Sequence, residues 1–245
     1  MIPVSDSPRA RSLPFVNVAL IAACVAVFIY ELTLSEIDIN RFFFDYGVIP
    51  RQLSGWADHP SGLDEPSTVI TSAFIHGGWL HLIGNMLYLW VFGDNVEDAL
   101  GHIPYLLFYL IAAAAAAALQ VAVDSHSGVP MVGASGAIAG VLGAYLVLYP
   151  SARVGVLIPW LWFFGVFRVP AVALIVFWFV LQLFSGLAAI GAATGASEGI
   201  AVWAHVGGFL AGFLIVLALR PLIPRRSPSA RGRRSAIGGR GSGCR

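Results

Sequence analysis

Residues 133–150, GASGAIAGVLGAYLVLYP, decide the reading of this chain. The run is apolar apart from Ser135 near its start and the tyrosines near its end. As a helix from Ser135 to Tyr149 it is roughly 22 Å long, whereas the hydrocarbon core of a bilayer is about 30 Å thick. A helix held at one surface near Pro150 therefore begins about 8 Å inside the other. That places Ser135 submerged but near a surface, where a hydroxyl is costly unless it has a partner or a role.

The rest of the chain supports a bilayer as its solvent. Of 245 residues, 58% are hydrophobic and 11% charged, against about 25% charged in soluble domains. The composition predicts an all-α polytopic membrane protein, and few polar stretches are long enough to form a soluble domain. The first apolar run follows Arg9 and Arg11 but leads into Glu31-Leu32-Thr33, a poor cleavage site, so it reads as a span and not a signal peptide. Six spans are expected, at about Leu13–Tyr30, Trp79–Ala99, Ile103–Val123, Ser135–Tyr149, Pro170–Leu187 and Gly199–Leu219. The fourth is short and starts internally.

An even count puts both termini on one side. Arg9, Arg11, Arg153, Arg168 and every arginine from Arg220 onward then share that side, leaving only Arg41 and Arg51 opposite. The positive-inside rule makes the shared side cytoplasmic. The expected organisation is a cytoplasmic segment 1–12, a six-helix membrane domain 13–219 with an acidic extracellular loop 31–70, and an Arg-rich disordered tail 220–245. The tail suits anionic lipid better than nucleic acid, which is not an expected partner. Gly93-Asp94-Asn95 is expected to turn the chain before the third span. Val154–Phe167 (VGVLIPWLWFFGVF) is too short to cross and reads as an interfacial or partly inserted cytoplasmic segment. All 14 basic residues are arginine, which fits a GC-rich bacterium and hence a bacterial inner membrane. Cys24 and Cys244 support neither a disulfide nor a metal.

The same depth arithmetic brings other polar groups to the level of Ser135. His205 lies about 9 Å into the sixth span, and Asn85 about 9 Å into the second, with His81 near its top. Gly136-x-x-x-Gly140 and Gly208-x-x-x-Gly212 are spacings that let helix backbones approach closely in lipid. Contact between those helices would bring His205 to Ser135 as its base, since a serine hydroxyl needs a base to become a nucleophile. The nearest acid to His205 is Glu198 at the membrane edge, so a dyad is expected and not a triad. Donors for an oxyanion would be the Ser135 backbone N–H, the Asn85 amide and His81. His76 and His81 lack the His-x-x-x-His spacing of a zinc helix, and no metal or other cofactor is expected.

Three pieces of sequence resemble the rhomboid family of intramembrane serine proteases. They are His76-Gly77-Gly78-Trp79-Leu80-His81-Leu82-Ile83-Gly84-Asn85-Met86 with Phe92-Gly93 and Glu97; Gly133-Ala134-Ser135-Gly136-Ala137; and Ala204-His205-Val206-Gly207-Gly208-Phe209-Leu210-Ala211-Gly212. The resemblance implies a six-helix rhomboid-like bundle whose serine–histidine dyad opens to the extracellular side. By motif, Ser135 is the nucleophile and His205 the base. Asn85, His81 and Gly133 stand on the oxyanion side, and His76 lies beside the site with a partly structural role. Gly136, Gly140, Gly208 and Gly212 pack helices, and Glu97 is structural. The substrates implied are single-span membrane proteins cut near the outer part of the span, with small residues favoured at the cut, and neither metal nor ATP is needed. Two positions depart from the pattern. Ser67-Thr68 replaces a common Trp-Arg, and Ala139 replaces a tyrosine that stacks on the histidine, leaving His205 either held by another group or freer. Trp178 and Phe179 are candidates for a lateral substrate entry. Two competing readings are an inactive relative that binds or escorts membrane proteins, and a small transporter.

Overall fold

A computed structural model gives the architecture and describes residues 2–7, 10–55, 65–160, 163–191 and 201–223. In chain order the elements are β1 (Ile2–Ser7), α1 (Phe15–Glu31), α2 (Glu36–Tyr46), α3 (Pro50–Leu53), α4 (Glu65–Thr71), α5 (Trp79–Tyr88), α6 (Asp94–Leu100), α7 (His102–Val123), α8 (Ser135–Leu148), β2 (Arg153–Trp160), β3 (Phe163–Pro170), α9 (Ala171–Gly191) and α10 (Val202–Leu219). Helices dominate. His102–Val123, Ala171–Ala188 and Val202–Leu219 are long and apolar enough to cross a membrane, and Phe15–Glu31 and Ser135–Leu148 are shorter apolar helices. The expected loop at 31–70 contains α2, α3 and α4. The tail from 224 onward lies outside the described residues.

The turn expected at Gly93-Asp94-Asn95 is instead helix. A π turn, Leu89–Gly93, joins α5 to α6 without a break, and the chain reverses at Gly101, whose φ is 88°. A polar knot explains the π turn. Widening the helix frees carbonyls, and the buried Asn17 of α1 donates through Nδ2 to the Leu89 carbonyl at 3.0 Å. The Tyr105 hydroxyl donates to Asn17 Oδ1 at 2.8 Å. Fully buried Glu97 then accepts from the backbone N–H groups of Val16 (3.0 Å) and Asn17 (2.7 Å) and pairs with His102 Nδ1 at 2.5 Å. The N–H groups that open a helix have no partner within it, so one carboxylate closes the start of α1 and ties it to the second helical run. Glu97→Ala strands those donors, each at about 1–3 kcal/mol. A drop in the thermal unfolding midpoint in detergent, absent in a surface control such as Glu36→Ala, is the expected result.

The core is built where α7, α8 and α10 meet on small residues. A Cβ placed on Gly136 would lie 2.6 Å from the Ala116 methyl, and one on Gly140 2.5 Å from the Ala112 methyl. A Cβ on Gly208 would overlap the Gly136 carbonyl oxygen, and one on Gly212 the Gly140 carbonyl oxygen. The alanine run of α7 and the glycines of α8 and α10 therefore form one packed seam, with van der Waals contact replacing the hydrophobic drive that lipid does not supply.

The chain is not all-α. Residues 154–167, expected as an interfacial or partly inserted segment, form most of an antiparallel hairpin, β2 against β3, in register from Arg153↔Pro170 to Trp160↔Phe163. The N-terminal β1 adds to the other edge of β2, from Ser7↔Arg153 to Ile2↔Leu157. Fully buried Val154 and Val156 fix the sheet to the bundle. Asp6 locks β1 in place, its carboxylate accepting from the Tyr145 hydroxyl at 2.5 Å and from Asn95 Nδ2 at 2.9 Å. Burial pushes the Asp6 carboxyl up from its ordinary 3.8 to about 6, reinforced by Asp94 and opposed by the Tyr145 hydrogen bond. A carboxyl that holds its proton more tightly when docked favours docking at low pH. That contribution is full below about 3.8 and is lost as pH rises through about 6. Amide exchange in residues 2–7, corrected for intrinsic rate, is expected to slow between pH 7 and pH 5, and to lose that dependence in Asp6→Asn.

Candidate active site

Ser135 begins α8, and no side-chain cap closes that end of the helix. The first-turn N–H groups, that of Ser135 among them, are thus free of intrahelical partners and carry the positive end of the helix dipole. His205 lies in the first turn of α10, brought against α8 by the Gly208 contact. Its Nε2 is 2.8 Å from Ser135 Oγ. The structure therefore joins the two groups that sequence reasoning put at one depth.

The far side of the imidazole is also held. Nδ1 is 2.9 Å from Gln182 Oε1 on α9. Because that oxygen can only accept, Nδ1 carries the proton, leaving the Nε2 lone pair to accept from the serine hydroxyl. Trp178, one helical turn before Gln182, packs its ring 5.9 Å from the imidazole. The buried Ala139 offers no ring to His205, and Trp178 and Gln182 hold it instead. Phe179 turns away and stacks on Phe209 at 4.3 Å. Sequence reasoning named Trp178 only as a possible entry residue and missed Gln182. The signal was present, since Gln182 is the single amide in the apolar α9, and a lone polar group in a span marks a partner.

Asn85 and His81 of α5 lie beside Gly133, two residues before Ser135. A Cβ on Gly133 would lie 2.7 Å from His81 Nε2 and 3.7 Å from Asn85 Nδ2. Gly133 has φ 126°, a conformation that L side chains rarely adopt, and its N–H donates to the Ser72 carbonyl at 2.8 Å. Glycine is required here on both counts. Asn85 Nδ2 is buried and has no hydrogen-bond partner among the described residues. His76 lies one layer further out. It is fully buried, its ring meets His81 at 5.2 Å, its N–H donates to Glu31 Oε1 at 3.1 Å and its Nδ1 faces the Phe74 carbonyl at 3.2 Å. Glu198 and Trp56 lie outside the described residues. A small pocket beside Ser135 is lined by Ala113, Ala116, Gly136, Ala137 and Ala204.

The Rhomboid domain family model matches residues 64–222. RHOMBOID-like protein 6, mitochondrial, of Arabidopsis thaliana is 31% identical over 202 residues, covering 81% of this chain and 59% of that protein. RHOMBOID-like protein 4 of the same plant is 32% identical over 180 residues, covering 71% of this chain and 41% of that protein. Rhomboid protease GluP of Bacillus subtilis is 41% identical over 85 residues, covering 35% of this chain and 16% of that protein. The chain thus spans about two-fifths to three-fifths of the length of these two plant relatives. The family model covers well over half of the sequence and includes every residue that meets at Ser135, and on that ground the chain belongs to the rhomboid family.

Proposed function

We propose that this integral membrane protein is an intramembrane serine endopeptidase. The family acts on transmembrane substrates within a membrane, and the observation that carries the reading here is the Ser135 Oγ to His205 Nε2 contact of 2.8 Å, with Gln182 Oε1 2.9 Å from Nδ1 on the far side of the ring. His205 takes the serine proton as Oγ attacks the scissile carbonyl. It then returns that proton to the leaving amine as the C–N bond breaks, and a water repeats the sequence on the acyl-enzyme. The oxyanion is met by the Ser135 N–H and the unpartnered Asn85 amide, with His81 beside them. The alanine- and glycine-lined pocket suits a small side chain at the cut.

Topology follows the arginine distribution. Six crossings, made by α1, α5 with α6, α7, α8, α9 and α10, put both termini in the cytoplasm and Ser135 near the extracellular side. Single-span proteins cut in the outer part of their helix are the substrates this geometry suits, and the Arg-rich tail suits anionic lipid. Most of the relatives are eukaryotic, so placement in a bacterial cell membrane rests on the lysine-free composition alone.

The purified protein in liposomes is expected to cleave a model single-span substrate bearing small residues in the outer part of its helix. Failure of the folded protein to cut several such substrates would overturn the reading in favour of a binding or escort protein. Asn85→Ala is expected to lower kcat about 100- to 1,000-fold, the usual effect of removing one oxyanion donor, without loss of thermal stability.

A further inference from the structure

The catalytic base is built from three helices, and the third supplies a group that neither the dyad nor its oxyanion donors include. Gln182 is half-buried in a helix that is otherwise almost wholly apolar, and its side-chain oxygen is 2.9 Å from His205 Nδ1. An amide in hydrocarbon is retained only if something satisfies it. No acid among the described residues is hydrogen-bonded to His205; the imidazole's two nitrogens meet Gln182 and Ser135. Trp178, four residues earlier on the same face of α9, covers one side of the ring.

We propose that Gln182 is the positioning residue of the dyad: by accepting from Nδ1–H it fixes the tautomer and aim of His205, so that Ser135, His205 and Gln182 form one hydrogen-bonded chain whose third member is neutral. The proposal rests on the protease reading above. An amide oxygen does for the imidazole what a carboxylate does in a triad, orienting the ring and holding the proton on the far nitrogen, but adds no charge. It therefore gives the imidazolium formed during attack less support than a carboxylate would, and makes the base weaker but keeps a buried charge out of the bilayer. Because Gln182 and Trp178 belong to α9, the base is set only while α9 stays against α10.

Three variants of the full chain in liposomes test this, read by kcat and KM on the model substrate, by the pH–rate profile and by the rate at which a fluorophosphonate labels Ser135. Gln182→Met keeps the length and apolar volume but removes the acceptor. Its kcat and labelling rate are expected to fall roughly 10- to 100-fold, the range for losing a group that orients a reacting one, with KM within about twofold and thermal stability kept. Gln182→Glu keeps the acceptor and is expected to retain kcat within about tenfold, with the acid limb of the pH–rate profile moved to higher pH because the added carboxylate favours the imidazolium. Ser135→Ala is the reference. If it is inactive while Gln182→Met keeps parental kcat, labelling and pH profile, the positioning role is wrong and the protease reading stands. If Ser135→Ala still cleaves, the protease reading fails and the positioning role falls with it. Should Gln182→Met not fold, an unshifted acid limb in Gln182→Glu overturns the proposal by itself.

Discussion

Gly208→Val is expected to abolish cleavage and to lower stability by at least about 3 kcal/mol, the upper range for forcing atoms into a packed interior. The cause is local and geometric. A Cβ at residue 208 overlaps the Gly136 carbonyl oxygen, which is backbone and cannot swing aside as a side chain would. Relief requires α8 and α10 to separate, and those two helices hold Ser135 and His205. Even a separation of about 1 Å breaks a productive nucleophile–base geometry. Gly208→Ala meets the same oxygen and is expected to retain only partial activity. Gly84→Ala is the control, since nothing lies within 4 Å of a Cβ there. Its melting temperature and activity are expected to match the parent. Parental stability and cleavage in Gly208→Val would show that the helix contact is looser than described.

Ser135→Ala and His205→Ala are each expected to reduce cleavage by about 10,000-fold or more while the protein still folds, with Ser135→Ala near-parental in melting temperature. Ser135→Ala removes one side of a single hydrogen bond and changes stability by about 1 kcal/mol, whereas His205→Ala removes the ring's bonds to both Ser135 and Gln182 and lowers stability by about 2 kcal/mol. The double variant is expected to be no worse than either single one, because groups that act as a unit lose their effect together. Additive losses in the double variant would mean that the two residues act in separate steps. Cleavage rates on one substrate, with circular dichroism of each variant, give the comparison.

The helix start at Ser135 and the close-packed glycines of α8 and α10 were legible because each depends on local sequence pattern. Fifteen or so apolar residues ending at a proline say where a helix starts, and small residues four apart say which face is close-packed. The sheet was not legible. Residues 154–167 are apolar on both faces, so they lack the alternation that marks a half-exposed strand. The strand that completes their sheet, β1, lies at the far end of the chain and reads Ile-Pro-Val-Ser-Asp-Ser, with little apolar signal. The π turn at Leu89–Gly93 was also hidden, because it is set by Asn17 on another helix. Gln182 lay between these cases. Its polarity was visible, but its partner was a histidine on the next helix, and only packing pairs them.

The most direct measurement is mass spectrometry of the purified protein after treatment with a fluorophosphonate. A single covalent adduct on Ser135, absent in His205→Ala and in heat-unfolded protein, is the predicted result, since only a serine whose proton is taken by a fixed base reacts in this way. An adduct on another serine, or unmodified Ser135 in protein that still cleaves its substrate, would contradict the assignment of Ser135 as the nucleophile.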